Sequence, residues 1–162
     1  MKKGDGMDTG IGQDSHKFDF RNKVKKLKLG GVVFEGYPPL KGNSDADPVL
    51  HAITNAISGI TGINILGAIS DKLCLEQNIT DSSEYLKEAL KYLNGMKLAR
   101  ISISIECLKP AITPMIPQMR LRIAEIAGLM EKSIGITATS GEGLTAFGKG
   151  KGIQVFAVVT AE

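Results

Sequence analysis

The clearest strand signal in the chain is the alternating stretch Ala99-Arg100-Ile101-Ser102-Ile103-Ser104-Ile105-Glu106. Its isoleucines point to one side and its polar residues to the other, a pattern that predicts a strand with one buried face and one exposed face. Shorter β-branched runs bounded by glycine or polar residues predict further strands at 152–160, 27–34 and 133–139. The sheet is therefore expected to draw on segments spread along the whole chain.

Three helices are predicted between these strands. The first opens near Pro48, which suits the first helical position, with Asp47 as its N-cap. The second runs from Asp81 to Gly95, and the third starts near Pro117. Since strands and helices mix without a separating linker, we predict an α+β fold in which one β-sheet is covered by helices on one face.

The composition is that of one ordinary globular domain. The chain has 162 residues, of which 43% are apolar, 23% charged and only 5% aromatic, and its net charge is +3. We expect a single domain at 10–162 and a disordered N-terminal extension at 1–9. Few aromatics, no signal peptide and no long apolar run predict no nucleic-acid partner and no membrane segment. Cys74 and Cys107 lack the spacing of a disulfide framework, so a reducing, cytoplasmic compartment is expected.

Both histidines of the chain lie in short polar motifs. Asp14 and His16 are two residues apart and would point to the same side of a strand, while His51 falls in the first turn of the first predicted helix. Imidazole nitrogen and carboxylate oxygen are ligands of zinc, and a catalytic zinc takes three protein ligands and keeps one position open. These three residues are therefore a candidate zinc site; the alternative for each histidine alone is a solvated or hydrogen-bonded structural role.

Glycines concentrate near the C-terminus, at Ser140-Gly141-Glu142-Gly143 and Gly148-Lys149-Gly150. Such segments let the backbone approach an anion, and a lone carboxylate at Glu142 could hold magnesium that bridges substrate phosphates. The spacing is not that of a Walker loop, because Gly150 stands where Ser or Thr is required. A mobile hairpin before the last strand is the alternative interpretation.

Taken together, these motifs resemble the 2-C-methyl-D-erythritol 2,4-cyclodiphosphate synthases, lyases of the non-mevalonate route of isoprene biosynthesis. The resemblance covers the chain from Gly10 to about Val159. It rests on Ile11-Gly12-Gln13-Asp14-Ser15-His16-Lys17-Phe18, Leu29-Gly30-Gly31-Val32, Ser44-Asp45-Ala46-Asp47, Leu50-His51-Ala52, Ile116-Pro117-Gln118-Met119-Arg120 and Ala138-Thr139-Ser140 with Glu142 and Gly148-Lys149-Gly150.

The resemblance implies roles for particular residues. Asp14, His16 and His51 match the family's Zn²⁺ ligands, and Glu142 matches its ligand for a second ion, Mg²⁺ or Mn²⁺. The remaining implied site residues contact substrate phosphates or receive the cytidine end: Asn43, Ser44, Asp45, Cys107, Pro110, Ser140 and Lys149. Among these, Ser44, Asp45, Ser140 and Glu142 are the candidate catalytic residues, and Asp45 or Asp47 could fix an imidazole tautomer from outside the metal shell.

The resemblance also implies a homotrimer with sites between neighbouring subunits. The implied substrate is 4-diphosphocytidyl-2-C-methyl-D-erythritol 2-phosphate, whose 2-phosphate attacks the β-phosphorus and expels CMP. Two metal ions would clamp the diphosphate, so no protein nucleophile is needed.

The chain departs from the family pattern at the end of the site that holds the polyol. Asn43 stands where histidine is common and Ala68 where aspartate is common, with Asp71 or Glu76 as possible replacements. Lys149 keeps the charge of the usual arginine but loses its bidentate fork. Two other functions therefore stay open: a trimeric zinc and nucleotide or isoprenoid-phosphate binding protein without turnover, and a zinc-dependent phosphoester hydrolase.

Overall fold

A mixed four-stranded sheet forms the centre of the fold in the computed structural model, which describes residues 6–162. The strands are β1 (Asp8–Lys17), β2 (Leu27–Leu29), β3 (Val32–Phe34), β4 (Leu98–Glu106), β5 (Ile134–Thr139) and β6 (Gly152–Ala161). The spatial order of the main sheet is β1-β6-β4-β5. Strand β6 pairs antiparallel with both β1 and β4, whereas β4 and β5 run parallel.

The strands match the sequence predictions with one exception. The alternating stretch at 99–106 is confirmed as β4, and the predicted strands at 152–160 and 133–139 are confirmed as β6 and β5. The single strand predicted at 27–34 is wrong. Both Gly30 and Gly31 have positive φ, 63° and 76°, so they form a two-residue turn and the segment folds into the β2–β3 hairpin with Leu29 opposite Val32.

Four α-helices accompany the strands within residues 6–162: α1 (Pro48–Thr61), α2 (Ala68–Gln77), α3 (Ser82–Leu90) and α4 (Ile116–Ala127). The first opens at Pro48, and the Asp47 side chain accepts from Val49 N and Leu50 N, as expected for its N-cap. The third is shorter than predicted, since it ends at Leu90 and one 3₁₀ turn follows. Helix α2 was not predicted, because it buries only Ser70 and presents no apolar stripe.

Strand β1 begins two residues before the domain boundary that was predicted at residue 10. Asp8 and Thr9 belong to β1, where they pair with Ala161 and Thr160 at the far end of β6. Because both side chains are polar, the apolar alternation that indicates a strand is absent at these two positions, although their backbone pairs with β6. Residues 1–5 of the predicted extension lie outside the described residues.

One face of the sheet is buried under the helices, as the alternation predicted. Ile101, Ile103 and Ile105 lie on that face, while Phe156 and Val158 of β6 stay partly exposed on the other. Helix α1 approaches β1 so closely that a Cβ at Gly12 would overlap the Ala52 carbonyl oxygen. Within residues 6–162, no helix combines the length and the hydropathy needed to cross a membrane.

Candidate metal centre

Three potential metal ligands converge where β1 meets the first turn of α1. Asp14 Oδ2 lies 2.9 Å from His16 Nε2 and 3.0 Å from His51 Nδ1, and the two imidazole nitrogens are 3.5 Å apart. One potential ligand atom from each residue lies within 4.8 Å of those from the other two. We call Asp14, His16 and His51 the histidine centre. It is the set that the sequence motifs predicted.

The local sequence explains why these side chains meet. Asp14 and His16 alternate along β1 and therefore point to the same side. Gly12 lets α1 lie directly on the strand, which brings His51 over both of them. Asp47 fixes the start of α1 with four backbone donors, namely Val49 N, Leu50 N, Gly30 N and Gly31 N, at 2.6–3.1 Å.

The electrostatics of the histidine centre favour a cation. Burial raises the pKa of the Asp14 carboxyl, but the adjacent imidazoles of His16 and His51 outweigh burial and hold that pKa well below its usual range. The carboxylate is therefore ionised at neutral pH. Two imidazole nitrogens and one carboxylate oxygen are a donor set that suits zinc and leaves a coordination position free. These residues could hold a metal ion.

The second ring nitrogen of His51, Nε2, also has a hydrogen-bond partner. Nε2 lies 2.9 Å from the hydroxyl of Ser82, the first residue of α3. The same hydroxyl bonds the Asp45 carboxylate, which also accepts from Lys28 Nζ at 3.3 Å. Of the two aspartates that the sequence offered for this supporting role, Asp45 reaches His51 through Ser82, whereas Asp47 is occupied by the N-terminus of α1 and the Gly30–Gly31 turn.

A cavity of about 450 Å³ opens beside the histidine centre. Its polar lining includes Asn43 and Ser44 from the segment before α1 and Asp71 from α2. The Ser44 hydroxyl accepts from Ala46 N at 3.1 Å, and Cys74 donates from Sγ to the Asn43 carbonyl at 3.6 Å. The structure therefore places Asn43 and Ser44 next to the three ligands, and of the proposed replacements for the missing aspartate it brings Asp71 to the cavity.

The remaining predicted residues form a second cluster. Residues 140–150, which we call the glycine loop, carry Ser140, Glu142 and Lys149, all three exposed. Glu142 has a φ of 50°, and its amide donates to the Ser140 hydroxyl at 3.4 Å. Within the loop a Cβ at Gly148 would lie 2.8 Å from the Ser140 carbonyl oxygen, so the two glycine-rich motifs pack backbone to backbone.

The predicted cytidine segment lies against the glycine loop. Leu108 N donates to the Phe147 carbonyl at 3.1 Å, and Cys107 N donates to the Thr139 carbonyl at 3.1 Å. Both Cys107 and Pro110 are buried, and the Cys107 thiol donates to the Pro110 carbonyl at 3.6 Å. Burial and the neighbouring Glu106 charge raise the pKa of Cys107 to about 11, so this thiol is neutral at physiological pH.

Within one chain the two clusters are separated by the width of the sheet. Ser15 of β1 pairs with Gln154, Gln154 with Glu106, and Glu106 with Thr139, the last residue before the glycine loop. Three steps between neighbouring strands correspond to about 14 Å. The structure thus brings the predicted residues together in two groups, not in one.

Sequence reasoning missed Gly12, Ser82 and Lys28 at the histidine centre. Ser82 follows the predicted cap Asp81 and is fully buried, which is unusual for a serine. No periodicity marks such a residue, because its importance comes from a hydrogen bond across 31 positions of sequence. Gly12 carried a weak signal, as a glycine within an otherwise strand-like segment suggests a close backbone approach.

An α+β fold with a cavity beside a two-histidine, one-carboxylate centre defines the class of protein: a domain whose polar cavity lies next to a group that could hold a metal ion. The chain belongs to the YgbB family, whose model matches residues 7–162. The resemblance drawn from the motifs is thereby confirmed.

Two relatives from Chlamydia species support this assignment. The 2-C-methyl-D-erythritol 2,4-cyclodiphosphate synthase of Chlamydia trachomatis serovar L2b is 48% identical over 153 residues, which cover 94% of this chain and 86% of the relative. The Chlamydia caviae synthase is 47% identical over 94% of this chain and 87% of its own.

Two solved structures share the fold. The bifunctional IspDF from Campylobacter jejuni superposes with a TM-score of 0.86 at 29% identity over 96% of this chain; the chain spans 42% of that protein. The Plasmodium falciparum IspF in its CDP complex superposes with a TM-score of 0.79 at 25% identity, and 96% of each chain is covered.

Proposed function

We propose that this chain is a metal-dependent phosphorus-oxygen lyase, a 2-C-methyl-D-erythritol 2,4-cyclodiphosphate synthase. Its substrate would be 4-diphosphocytidyl-2-C-methyl-D-erythritol 2-phosphate, and its products the cyclic diphosphate and CMP. The observation that carries the proposal is the histidine centre at the edge of a polar cavity, in a chain 48% identical to a relative of that name. A cytoplasmic location stays a prediction.

The histidine centre would hold Zn²⁺, and Glu142 would hold Mg²⁺ or Mn²⁺ together with substrate phosphates. When bound, the two ions would neutralise charge on the diphosphate and keep the attacking and leaving oxygens in line. The donor types support this division, since imidazole suits zinc whereas a lone carboxylate with phosphate oxygens suits magnesium.

The protein side chains would bind and orient the substrate without forming a covalent bond to it. The 2-phosphate oxygen attacks the β-phosphorus, a P–O bond forms, the bond between the α- and β-phosphates breaks, and CMP leaves with the electron pair. Asn43 and Ser44 line the cavity beside the histidine centre and would contact the phosphates and the polyol. Rigid placement of the two reacting groups would supply much of the rate enhancement.

The cytidine end would be received by the second cluster. Ser140 offers a hydroxyl, Lys149 a positive charge for the phosphates, and the Cys107–Pro110 segment a backbone surface held against the glycine loop. The exposed position of Glu142 leaves its carboxylate accessible to an ion that a substrate would share.

The active assembly would be a homotrimer with sites between subunits. The separation of about 14 Å between the two clusters within one chain supports a site that combines the histidine centre of one subunit with the glycine loop of its neighbour. The uncovered sheet face supports association, because Phe156 and Val158 there line an apolar groove of about 330 Å³.

The test is CMP release from the CDP-linked substrate with zinc and magnesium present. We expect His51→Ala and Glu142→Gln each to lower the rate at least about 100-fold, because each removes a metal ligand. Glu131→Gln makes the same chemical change on an exposed residue between α4 and β5, and it should leave the rate unchanged. Cleavage that yields CMP with the open-chain 2-C-methylerythritol 2,4-bisphosphate would refute cyclisation and indicate a hydrolase instead.

A binding protein without turnover is the second candidate, and Asn43 is the observation that favours it. The Asn43 amide lines the cavity where family members commonly carry a titratable imidazole, and an amide cannot transfer a proton. A folded, zinc-loaded trimer that binds CDP but releases no CMP would select this candidate.

A further inference from the structure

Both nitrogens of the His51 ring have defined partners, and this is the observation from which a further role follows. Nδ1 faces Asp14 Oδ2 at 3.0 Å, and Nε2 lies 2.9 Å from the Ser82 hydroxyl. His51 and Ser82 are both buried, with 8% and 0% of their surfaces exposed. Water therefore has little access to this side of the ring, and Ser82 is the group that satisfies Nε2.

The hydrogen-bond directions can be deduced from the partners of Ser82. Its hydroxyl bonds an Asp45 oxygen, and the Asp45 carboxylate also accepts from Ser82 N at 3.2 Å and from Lys28 Nζ at 3.3 Å. Because the Asp45 oxygens already act as acceptors toward Ser82 N and Lys28 Nζ, the Ser82 hydroxyl donates to Asp45 as well. The hydroxyl oxygen is then left as an acceptor, and the hydrogen that it accepts is the one on His51 Nε2.

These directions leave a single neutral form of the imidazole suited to a metal. With its hydrogen on Nε2, the ring presents the Nδ1 lone pair to the point where Asp14 Oδ2 and His16 Nε2 also converge. A histidine binds a metal through the nitrogen that carries no hydrogen. The chain Lys28–Asp45–Ser82–His51 thus selects both the tautomer and the ring orientation that the histidine centre requires.

We propose that Ser82 and Asp45 are positioning residues that fix the Nε2–H tautomer of His51 for metal binding, with Lys28 holding the Asp45 carboxylate in place. This inference rests on the proposed function only in that the histidine centre binds zinc. Of the two roles that the sequence offered for Asp45, it favours the one behind the ligand over direct contact with substrate phosphates, and it adds Ser82 as the group through which Asp45 acts. Ser82 has no counterpart among the residues predicted from the motifs.

The test measures zinc affinity of the folded full-length chain by competition with a chromogenic chelator. Ser82→Ala should weaken zinc binding about 10- to 100-fold, the usual cost of losing a partner of a metal-binding histidine. Asp45→Asn keeps the shape but loses the charge, so we expect a smaller loss of about tenfold. Ser83→Ala removes a hydroxyl from the next buried residue of α3 and should stay within about twofold of the native affinity.

A second measurement separates positioning from a general loss of stability. Nitrogen-15 NMR of the zinc-loaded chain should show a protected His51 Nε2–H in the native protein and in Ser83→Ala, and rapid exchange of that hydrogen in Ser82→Ala. Native zinc affinity together with a protected Nε2–H in a folded Ser82→Ala protein would overturn the inference. Failure of the native chain to bind zinc would instead refute the metal assignment in the proposed function, and absence of cyclisation alone would leave the inference standing.

Discussion

The histidine centre and the glycine loop differ in what holds their functional side chains. At the histidine centre the side chains hold one another in place. Asp14 contacts His51, His51 contacts Ser82, and Ser82 contacts Asp45. In the glycine loop the backbone is fixed, by bonds such as Lys149 N to the Thr145 carbonyl at 3.0 Å, while Glu142 itself stays exposed. The candidate metal centre is thus prepared by side-chain packing, whereas the glycine loop is prepared as a backbone shape around exposed side chains.

The largest expected effect comes from breaking the packing under the histidine centre. A Cβ in Gly12→Ala would overlap backbone of α1, so the helix must move off β1 and carry His51 away. We expect a loss of at least about 3 kcal/mol in the free energy of unfolding, measured by urea denaturation, together with loss of zinc binding.

Gly59→Ala is the matched control for this change. Gly59 lies within the same helix, and a Cβ there would meet Ile11 O at an ordinary 3.6 Å. Alanine should therefore raise stability by about 0.5–1 kcal/mol through its better helix propensity. A Gly12→Ala protein as stable as the native chain would show that α1 does not depend on this close approach.

Metal removal should distinguish the two clusters by stability alone. Zinc at one hundred times its dissociation constant adds about 2.7 kcal/mol to the folded state, and a chelator should remove that gain. Thermal unfolding should show the same zinc gain in Glu142→Gln as in the native chain and none in His16→Ala. A reduced gain in Glu142→Gln would mean that the glycine loop shares the zinc site.

The two cysteines lie one beside each cluster, and they should differ in their reactivity. Cys74 lines the cavity beside the histidine centre and is partly exposed, whereas Cys107 is buried with its pKa raised from 9.0 to about 11. That difference lowers the thiolate fraction of Cys107 about 100-fold at pH 8, before its burial is considered. A thiol reagent should label Cys74 in the folded protein and Cys107 only after unfolding, as mass spectrometry of the labelled peptides would show.

The smallest expected effect lies in the glycine loop. Thr145→Val removes the hydroxyl that bonds the Glu106 carboxylate and accepts from Gly148 N at 3.0 Å. We expect a cost of about 1 kcal/mol and faster hydrogen exchange at the Gly148 amide, with unchanged zinc affinity. An altered zinc affinity would contradict the independence of the two clusters.

Periodicity and caps were enough to predict much of the fold. Alternation identified β4, and the Asp47–Pro48 cap identified α1, because each depends on a local pattern. The β2–β3 hairpin was missed because its turn depends on the backbone conformation of Gly30 and Gly31. Helix α2 was missed because its apolar residues do not form a stripe along one side and only Ser70 is buried.

The candidate site was predictable where donor chemistry was visible in the residues themselves. Asp14, His16 and His51 stood out as metal ligands, and the structure brings them together. The partners behind them did not stand out, since Ser82 and Lys28 are ordinary residues whose roles depend on long-range packing. The separation of the Glu142 cluster was expected from the family resemblance alone, which implies sites between subunits, and its physical reason is the strand order of the sheet.

The position of β6 has a consequence for how the protein is made. This strand is the only partner of β1 in the main sheet among residues 6–162, and it also joins β1 to β4. While the chain emerges from a ribosome, Asp14 and His16 are synthesised early, yet their strand has no partner strand in the main sheet until residues 152–161 have left the exit tunnel. Pairing across such a sequence distance is slow to form. Metal loading should therefore follow the emergence of β6, and a nascent chain stalled before residue 152 should fail to retain zinc.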